Sequence, residues 1–297
     1  MPMLPASPGS LRAPPHREPN RIAHRDPRLG WCSSENALPE LPDVEHFRRT
    51  FSEAAAGRRV ERVVVTDPGI LRNVRADELD RALHGHRFAE PDRLGKWLIA
   101  RTDGPAILIH FGMTGDIIGA PDAVGRHPHD RVILELDRGE VRYRNMRKFG
   151  GLWLASGPAE VGELLAGVGP DALSLSRRGF LDLLDRRHGR VKAALLDQSL
   201  LAGIGNLLAD EALWRAKIHP ARRIEDLSHD ERRTLYRALR AVIRDTVERY
   251  PEGFETRWTR ARGRPAALCP RCRTPLARTV VGGRTTYFCP TEQRLTP

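Results

Sequence analysis

A cysteine module near the C-terminus, CPRCRTPLARTVVGGRTTYFCPTE, constrains the fold more than any other feature of the chain. Cys269 and Cys272 form a Cys-x-x-Cys pair, sixteen residues separate that pair from Cys289, and Glu292 stands where a fourth ligand is expected. This is the spacing of two zinc knuckles joined by a β-hairpin. The sequence therefore predicts a zinc-ribbon-like hairpin that binds zinc through three cysteines and one carboxylate.

The same hairpin has an alternative source of stability. Hydrophobic contacts that include Tyr287 and Phe288 can hold a short hairpin together without a metal ion. Arg284 would lie on this hairpin in either case, and its guanidinium suits a phosphate group. The sequence leaves both versions of the hairpin open.

Charge is distributed unevenly along the chain. The formal net charge is +11 and the isoelectric point is about 10.3. Residues 256–297 hold nine arginines and a single acidic residue, Glu292. Such a segment indicates a polyanionic partner, nucleic acid first, although a solvated basic surface has the same composition. No apolar run is long enough for a membrane span, and no apolar segment of a secretory signal begins the chain.

The order of patterns along the chain predicts an α+β, multidomain protein. Residues 1–38 contain seven prolines and no apolar period, so we expect them to be disordered or absent from the mature protein. Residues 39–170 begin with a helix and continue as strands, which predicts an antiparallel β-sandwich with flanking helices. Residues 171–255 contain four helical segments, and residues 256–297 form the ribbon.

A glycine turn, AGIGN, joins the second and third of these helical segments. Backbone N–H groups at the start of a helix favour anions, and Asn206 adds a side-chain donor, so the turn could bind a phosphate. The alternative is an ordinary turn, because most Gly-x-Gly sequences simply end helices.

The stretch PELPDVE suggests covalent chemistry at the start of the first helix. A proline with a free amine is a good nucleophile toward an aldehydic sugar carbon, because it forms an iminium directly. Glu40 could move protons to or from the sugar, and Lys96, on the strand GKWLIA, could bind a phosphate. The structural alternatives are a proline that leads a helix, an acid that offsets the helix dipole, and a strand-edge charge.

Taken in order, six stretches resemble the formamidopyrimidine-DNA glycosylase / endonuclease VIII family: PELPDVE, GKWLIA, HFGMTG, RNMRKFG, DQSLLAGIGNLLADEAL and the cysteine module. The sequence differs from the family pattern at several positions. Asn145 and Met146 replace the first two residues of an Asp-Pro-Arg-Arg-Phe-Gly segment, and Glu292 replaces the last zinc cysteine. The central helical segment matches the family's helix–two-turn–helix motif.

The resemblance implies a base-excision repair DNA glycosylase with apurinic/apyrimidinic (AP) lyase activity, acting on oxidised bases in damaged duplex DNA. It implies a monomer in the bacterial cytoplasm, associated with the nucleoid. Pro39 is then the Schiff-base nucleophile, Glu40 the catalytic acid and Lys96 a phosphate ligand. The DNA-binding residues implied are two phosphate ligands and three residues that fill the gap left by an extruded nucleotide: Asn206 and Arg284, then Met113, Arg147 and Phe149.

Pro39 cannot act as a nucleophile while Leu38 precedes it. Its nitrogen is then a tertiary amide, whose lone pair is delocalised into the carbonyl group. We expect translation to begin at codon 38, read as methionine and then trimmed.

One rival interpretation is a non-catalytic DNA-binding relative whose proline is blocked, and another is a zinc-ribbon protein that binds RNA or a protein complex. In oxidised-purine-specific members of the family a longer insertion lies between the positions of Tyr250 and Cys269. The resemblance therefore weakens the case for 8-oxoguanine and implies oxidised pyrimidines or abasic sites as good candidates.

Overall fold

The structure is a computed structural model that describes residues 39–250 and 256–295. The expectation of disorder in residues 1–38 lies outside the described residues. Where the structure describes the chain, no helix is both long and apolar enough to cross a membrane.

The first part of the chain folds into two four-stranded antiparallel sheets with two helices and a short 3₁₀ turn, Pro68–Ile70. One sheet has the strand order β1-β6-β7-β5 and the other the order β2-β3-β4-β8. The helices and strands are α1 (Leu41–Ala55), β1 (Val60–Val65), α2 (Ala76–Leu83), β2 (Asp92–Leu94), β3 (Trp97–Arg101), β4 (Ala106–His110), β5 (Gly115–Ala120), β6 (Asp130–Leu136), β7 (Glu140–Asn145) and β8 (Gly151–Ala155).

Helix α1 packs against this sandwich through the apolar face that its sequence predicts. Val44, Phe47 and Phe51 recur at helical spacing and are all buried. The ring centroid of Phe47 lies 4.5 Å from that of Phe111, and Phe51 meets Phe88 edge-on at 5.1 Å. The packing fixes the start of α1, and with it the PELPDVE stretch, relative to both sheets.

The second part of the chain is helical, as predicted. The four expected helices are α4 to α7, and two short ones, α3 and α8, were not anticipated. The bounds are α3 (Pro158–Leu164), α4 (Arg177–Asp185), α5 (Val191–Leu196), α6 (Asn206–Ala216), α7 (His229–Glu248) and α8 (Arg257–Ala261). A capping box begins α7, since the Glu231 N–H donates to Ser228 Oγ at 3.2 Å and the Ser228 N–H donates to the Glu231 carboxylate at 2.8 Å.

The C-terminal hairpin consists of β9 (Ala277–Val281) and β10 (Arg284–Phe288), paired antiparallel with Arg284 opposite Val281. Gly282 and Gly283 form its two-residue turn, both with positive φ, which suits the twist of a tight hairpin. We call residues 268–293, the hairpin with its cysteine loops, the ribbon. It lies along helix α6.

Candidate active site

Glu40 joins the sandwich to the helical part of the chain. It is the N-cap of α1, and only 2% of its surface is exposed. Its carboxylate accepts hydrogen bonds from the N–H groups of Leu207 at 2.7 Å and of Gly205 and Leu208 at 3.1 Å each. A Cβ at Gly205 would lie 2.2 Å from Glu40 Cδ, so only glycine permits this approach.

This contact corrects one expectation from the sequence. The N–H groups at the AGIGN turn were expected to face a phosphate, but those of Gly205, Leu207 and Leu208 bind the carboxylate of Glu40 instead. The helix N-terminus is an anion site as predicted, and its anion is part of the protein. The turn therefore positions a candidate catalytic group directly.

Lys96 lies close enough to Glu40 for the charge of each side chain to shift the pKa of the other. Burial lowers the pKa of Lys96, opposed by the negative charges of Glu40 and Asp43, while the positive charge of Arg284 lowers it further. Burial likewise raises the pKa of Glu40, opposed first by the charge of Lys96. Lys96 was expected on a strand. It lies instead in the two-residue turn between β2 and β3, and the other residue of that turn, Gly95, packs closely against Ala202.

Pro39 is buried and directly precedes Glu40, so the chain itself places the expected nucleophile next to the expected acid. Asp43 fixes the backbone at this point. Its carboxylate accepts the Glu40 N–H at 2.8 Å and the Tyr250 hydroxyl at 3.2 Å, and burial raises its pKa to about 7. The capping arrangement holds residues 39 and 40 in one orientation.

Two neighbouring loops carry the residues expected to enter the DNA. Met113 lies between β4 and β5, and Arg147 and Phe149 lie between β7 and β8. The Arg147 N–H donates to Thr114 Oγ1 at 3.0 Å, which ties the loops together. Phe149 is 61% exposed, and the Arg147 guanidinium lies 5.2 Å from the centre of its ring. An exposed aromatic next to a cation suits insertion between bases.

Asn145 organises both loops, a role that the sequence interpretation missed. The fully buried side chain donates from Nδ2 to the Phe111 carbonyl at 3.1 Å and to the Tyr143 hydroxyl at 2.9 Å. Its Oδ1 accepts from the Lys148 N–H at 2.9 Å and from the Thr114 hydroxyl at 3.3 Å. The signal was its departure from the family segment, because only an amide can donate and accept here.

Of the two expected phosphate ligands, Arg284 lies at the tip of the ribbon and Asn206 lies beside it, at the start of α6. Arg284 is exposed and is the first residue of β10, close enough to Lys96 for their like charges to interact. Asn206 Nδ2 donates to the Thr285 carbonyl at 3.0 Å, and its Oδ1 is buried without a hydrogen-bond partner. Asn206 therefore holds the ribbon tip, while Arg284 remains directed toward solvent.

The three cysteines converge as the spacing predicts. The sulfur atoms of Cys269, Cys272 and Cys289 all lie within 4.8 Å of one another. Hydrogen bonding to Thr274 lowers the pKa of Cys272 to about 7, and Trp214 Nε1–H donates to the sulfur of Cys269 at 3.4 Å. Three converging cysteine sulfurs form a donor set that fits zinc.

Glu292 does not join this cluster, contrary to the prediction of a fourth ligand. Its carboxylate pairs instead with Arg271 at 2.9 Å and with Lys217 at 3.2 Å, and these cations lower its pKa. Two nearby cations hold the carboxylate away from the sulfurs. The residues brought together for zinc are therefore the three cysteines.

Comparison with known proteins agrees with this architecture. Residues 38–152 match the model of the formamidopyrimidine-DNA glycosylase N-terminal domain, residues 167–257 that of the H2TH domain, and residues 268–291 that of the zinc finger found in FPG and IleRS. The formamidopyrimidine-DNA glycosylase of a Thermus thermophilus strain is 38% identical over 275 residues, covering 86% of this chain and 98% of that protein. That of Pelotomaculum thermopropionicum is 35% identical over 286 residues, covering 87% and 100%.

Solved structures give the same result. A crystal structure of the Lactococcus lactis enzyme bound non-covalently to AP-site DNA superposes with a TM-score of 0.79 at 28% identity, covering 86% of this chain and 100% of that one. A complex of the same protein with DNA containing N7-benzyl-Fapy-dG has a TM-score of 0.77 at 27% identity, with the same coverage.

Proposed function

The chain belongs to the formamidopyrimidine-DNA glycosylase family, and from that premise we propose that it removes oxidised bases from duplex DNA and then cleaves the strand as an AP lyase. The observation that best supports this proposal is the buried carboxylate of Glu40, held between the N-terminus of α6 and Lys96 and directly following Pro39. The arrangement combines a candidate nucleophile, proton donor and phosphate ligand.

The chemistry begins with the ring nitrogen of Pro39 as a free secondary amine. It attacks C1′ of the damaged nucleotide, the bond from C1′ to the base breaks, and the base leaves with a proton. Glu40 delivers a proton to the sugar oxygen as the ring opens, which leaves an iminium between proline and sugar. Burial raises the pKa of Glu40, so that this carboxyl holds a proton closer to neutral pH than an exposed glutamate. Elimination then cleaves the strand.

Lys96 and Arg284 bind the phosphates next to the lesion in this proposal. Their like charges already influence each other in the free protein, so a phosphate between them would relieve the repulsion. Met113 and Phe149 occupy the space of the extruded nucleotide, and Arg147 faces the orphaned base. Asn206 contributes by holding the ribbon tip in place.

Zinc has a structural role at the ribbon. Cys269, Cys272 and Cys289 would hold the ion, and it would join the two cysteine loops below the hairpin that carries Arg284. We further propose that the protein works as a monomer in the bacterial cytoplasm, associated with the nucleoid. Oxidised pyrimidines and abasic sites are the favoured substrates.

Borohydride trapping tests the proposal. Reduction of the iminium links the protein covalently to DNA, so a chain that begins at Pro39 should form an adduct with duplexes carrying an abasic site or an oxidised base. Glu40→Gln, with Pro39 equally free, is the matched variant for the acid. Absence of any adduct from the free-proline chain would contradict the lyase mechanism.

A second candidate function is supported by the Leu38–Pro39 peptide bond of the 297-residue sequence. A chain that keeps this bond has no nucleophile and would be a DNA-binding relative without catalysis. Such a protein would bind duplex DNA with strong salt dependence and form no trapped adduct. Measuring both properties on the same preparation separates the two functions.

A further inference from the structure

Helix α6 contacts the ribbon at both ends of the helix. The hairpin tip lies against the N-terminal turn of α6, where Asn206 donates to the Thr285 carbonyl at 3.0 Å. The cysteine loops lie against the C-terminal end, where Gln293 Nε2 donates to the Ile218 carbonyl at 2.9 Å. The position of Arg284 near Lys96 depends on these contacts, since Arg284 begins strand β10.

A buried ion cluster lies under β10. Lys192 of α5 and Asp210 of α6 are fully buried, with the Lys192 ammonium 2.6 Å from Asp210 Oδ1. Arg262, just after α8, donates from Nε to Asp210 Oδ2 at 2.8 Å and is 13% exposed. We call these three residues the Lys192–Asp210–Arg262 cluster. It joins three segments that are distant in sequence.

Strand β10 contributes hydrogen bonds to this cluster. The Lys192 ammonium donates to Thr286 Oγ1 at 2.6 Å, and the Tyr287 N–H donates to Asp210 Oδ2 at 3.3 Å. The Arg262 guanidinium lies 5.2 Å from the centre of the Tyr287 ring. Separating the ribbon from α6 would leave the ammonium of Lys192 without two acceptors, Thr286 Oγ1 and the Thr285 carbonyl. The buried charges therefore favour the docked ribbon.

At the end of the ribbon that carries the cysteines, a partly exposed ion pair rather than a buried cluster connects the ribbon to α6. Three sulfurs converge, and the carboxylate of Glu292 pairs at 3.2 Å with Lys217, the C-cap residue of α6. Glu292, the residue expected as the fourth metal ligand, thus attaches the ribbon to α6 through an ion pair. Direct protein contacts support the ribbon at both ends.

We propose that the Lys192–Asp210–Arg262 cluster docks the ribbon on the helical domain, so that Arg284 keeps its position near Lys96 when no metal is bound. Zinc then organises the cysteine loops locally and is not required for docking. The docking itself is independent of whether the chain has lyase activity; only the use of Arg284 on a DNA phosphate rests on the proposed function.

Hydrogen exchange at the amides of residues 284–288 measures the docking directly, on the full chain, with zinc content determined in parallel by mass spectrometry. We expect the wild-type amides to change protection less than about threefold when a chelator removes the zinc. Asp210→Asn and Arg262→Met, loaded with zinc, should lose protection on the order of 100-fold, because breaking a buried ion pair leaves an uncompensated charge. Arg264→Met, at an exposed arginine of the same segment, is the matched control and should behave as wild type.

Three further measurements keep the result interpretable. Amides in the centre of α7 report global folding, and Arg262→Lys should recover part of the lost protection because it restores the cation. Glu292→Cys should tighten zinc binding without changing protection in β10. The proposal is overturned if chelation exposes β10 in the wild type while zinc-loaded Asp210→Asn stays protected. DNA cleavage plays no part in the readout, so failure of the lyase mechanism would leave this result unaffected.

Discussion

Exchanging Asn145 for aspartate replaces two N–H donors with oxygen lone pairs at a fully buried position. The family segment carries aspartate here, so sequence comparison alone would expect a harmless change. The structure indicates otherwise, because Nδ2 faces the Phe111 carbonyl at 3.1 Å and the Tyr143 hydroxyl at 2.9 Å. The Tyr143 hydroxyl itself donates to the His110 carbonyl at 3.0 Å.

The size of the effect follows from counting these groups. The Phe111 carbonyl would lose its donor and face a carboxylate, and an unsatisfied buried group costs about 1–3 kcal/mol. The Tyr143 hydroxyl could turn to the carboxylate only by giving up its bond to His110, which loses about 1 kcal/mol more. We expect Asn145→Asp to lower the free energy of unfolding by about 2–4 kcal/mol at neutral pH.

The pH dependence of this loss has a definite sign. Burial raises the pKa of the new carboxyl in the folded state above its pKa in the unfolded state. The stability that the protonated carboxyl contributes is therefore fully present below the unfolded-state pKa and is lost as pH rises through the folded-state pKa. The deficit of the variant should therefore be smaller at pH 5 than at pH 8.

Urea denaturation followed by tryptophan fluorescence measures the change. Asn73→Asp is the matched control, because exposed Asn73 makes a similar donor contact, to the Leu154 carbonyl at 2.8 Å, and should lose less than about 1 kcal/mol. Affinity for abasic duplex should fall with stability in Asn145→Asp, since Met113 and Phe149 lie on the loops that it connects. Equal stability of the two variants at both pH values would refute the reasoning.

Three further substitutions test separate parts of the site. Glu40→Gln, in a chain that begins at Pro39, should slow base release by about 10²–10⁴-fold while retaining some capture of preformed abasic sites, as measured by trapping on the two substrates in parallel. Phe149→Ala should change the free energy of unfolding by less than about 0.5 kcal/mol, since the ring is exposed, yet weaken abasic-duplex binding by about 1–3 kcal/mol relative to intact duplex in a fluorescence titration. The pKa of Asp43 is raised from 3.8 to about 7, so the free energy of unfolding of the wild-type protein should fall as pH rises between those values. Asp43→Asn should make the free energy of unfolding less dependent on pH, as measured by urea denaturation. An unchanged pH dependence would count against the raised pKa of Asp43.

The fold was predictable from local patterns. The apolar spacing of Val44, Phe47 and Phe51 and the capping pair of Ser228 and Glu231 each depend on residues close together in sequence. Helix period, cap chemistry and turn geometry are local properties, and they gave the order of sandwich, helices and ribbon correctly. The short helices α3 and α8 were missed because so few residues carry little periodicity.

The contacts that shape the site could not be predicted in the same way. The partners of Glu40 lie more than 160 positions away, at Gly205 and Leu207, and no local pattern indicates that a carboxylate rather than a phosphate binds there. Lys192 and Asp210 each lie in a largely apolar helix, which signals buried charge but does not identify the partner. Glu292 was assigned to the metal by position alone, whereas the cations that bind it become neighbours only in the folded chain.

The central claim is that catalysis requires a free ring nitrogen at Pro39. The most direct measurement compares trapping rates on abasic duplex for two preparations, one verified by intact mass to begin at Pro39 and one verified to retain Leu38 and the residues before it. The account predicts rapid adduct formation by the first and none by the second, because an amide nitrogen cannot form an iminium. Equal trapping by both preparations would contradict it.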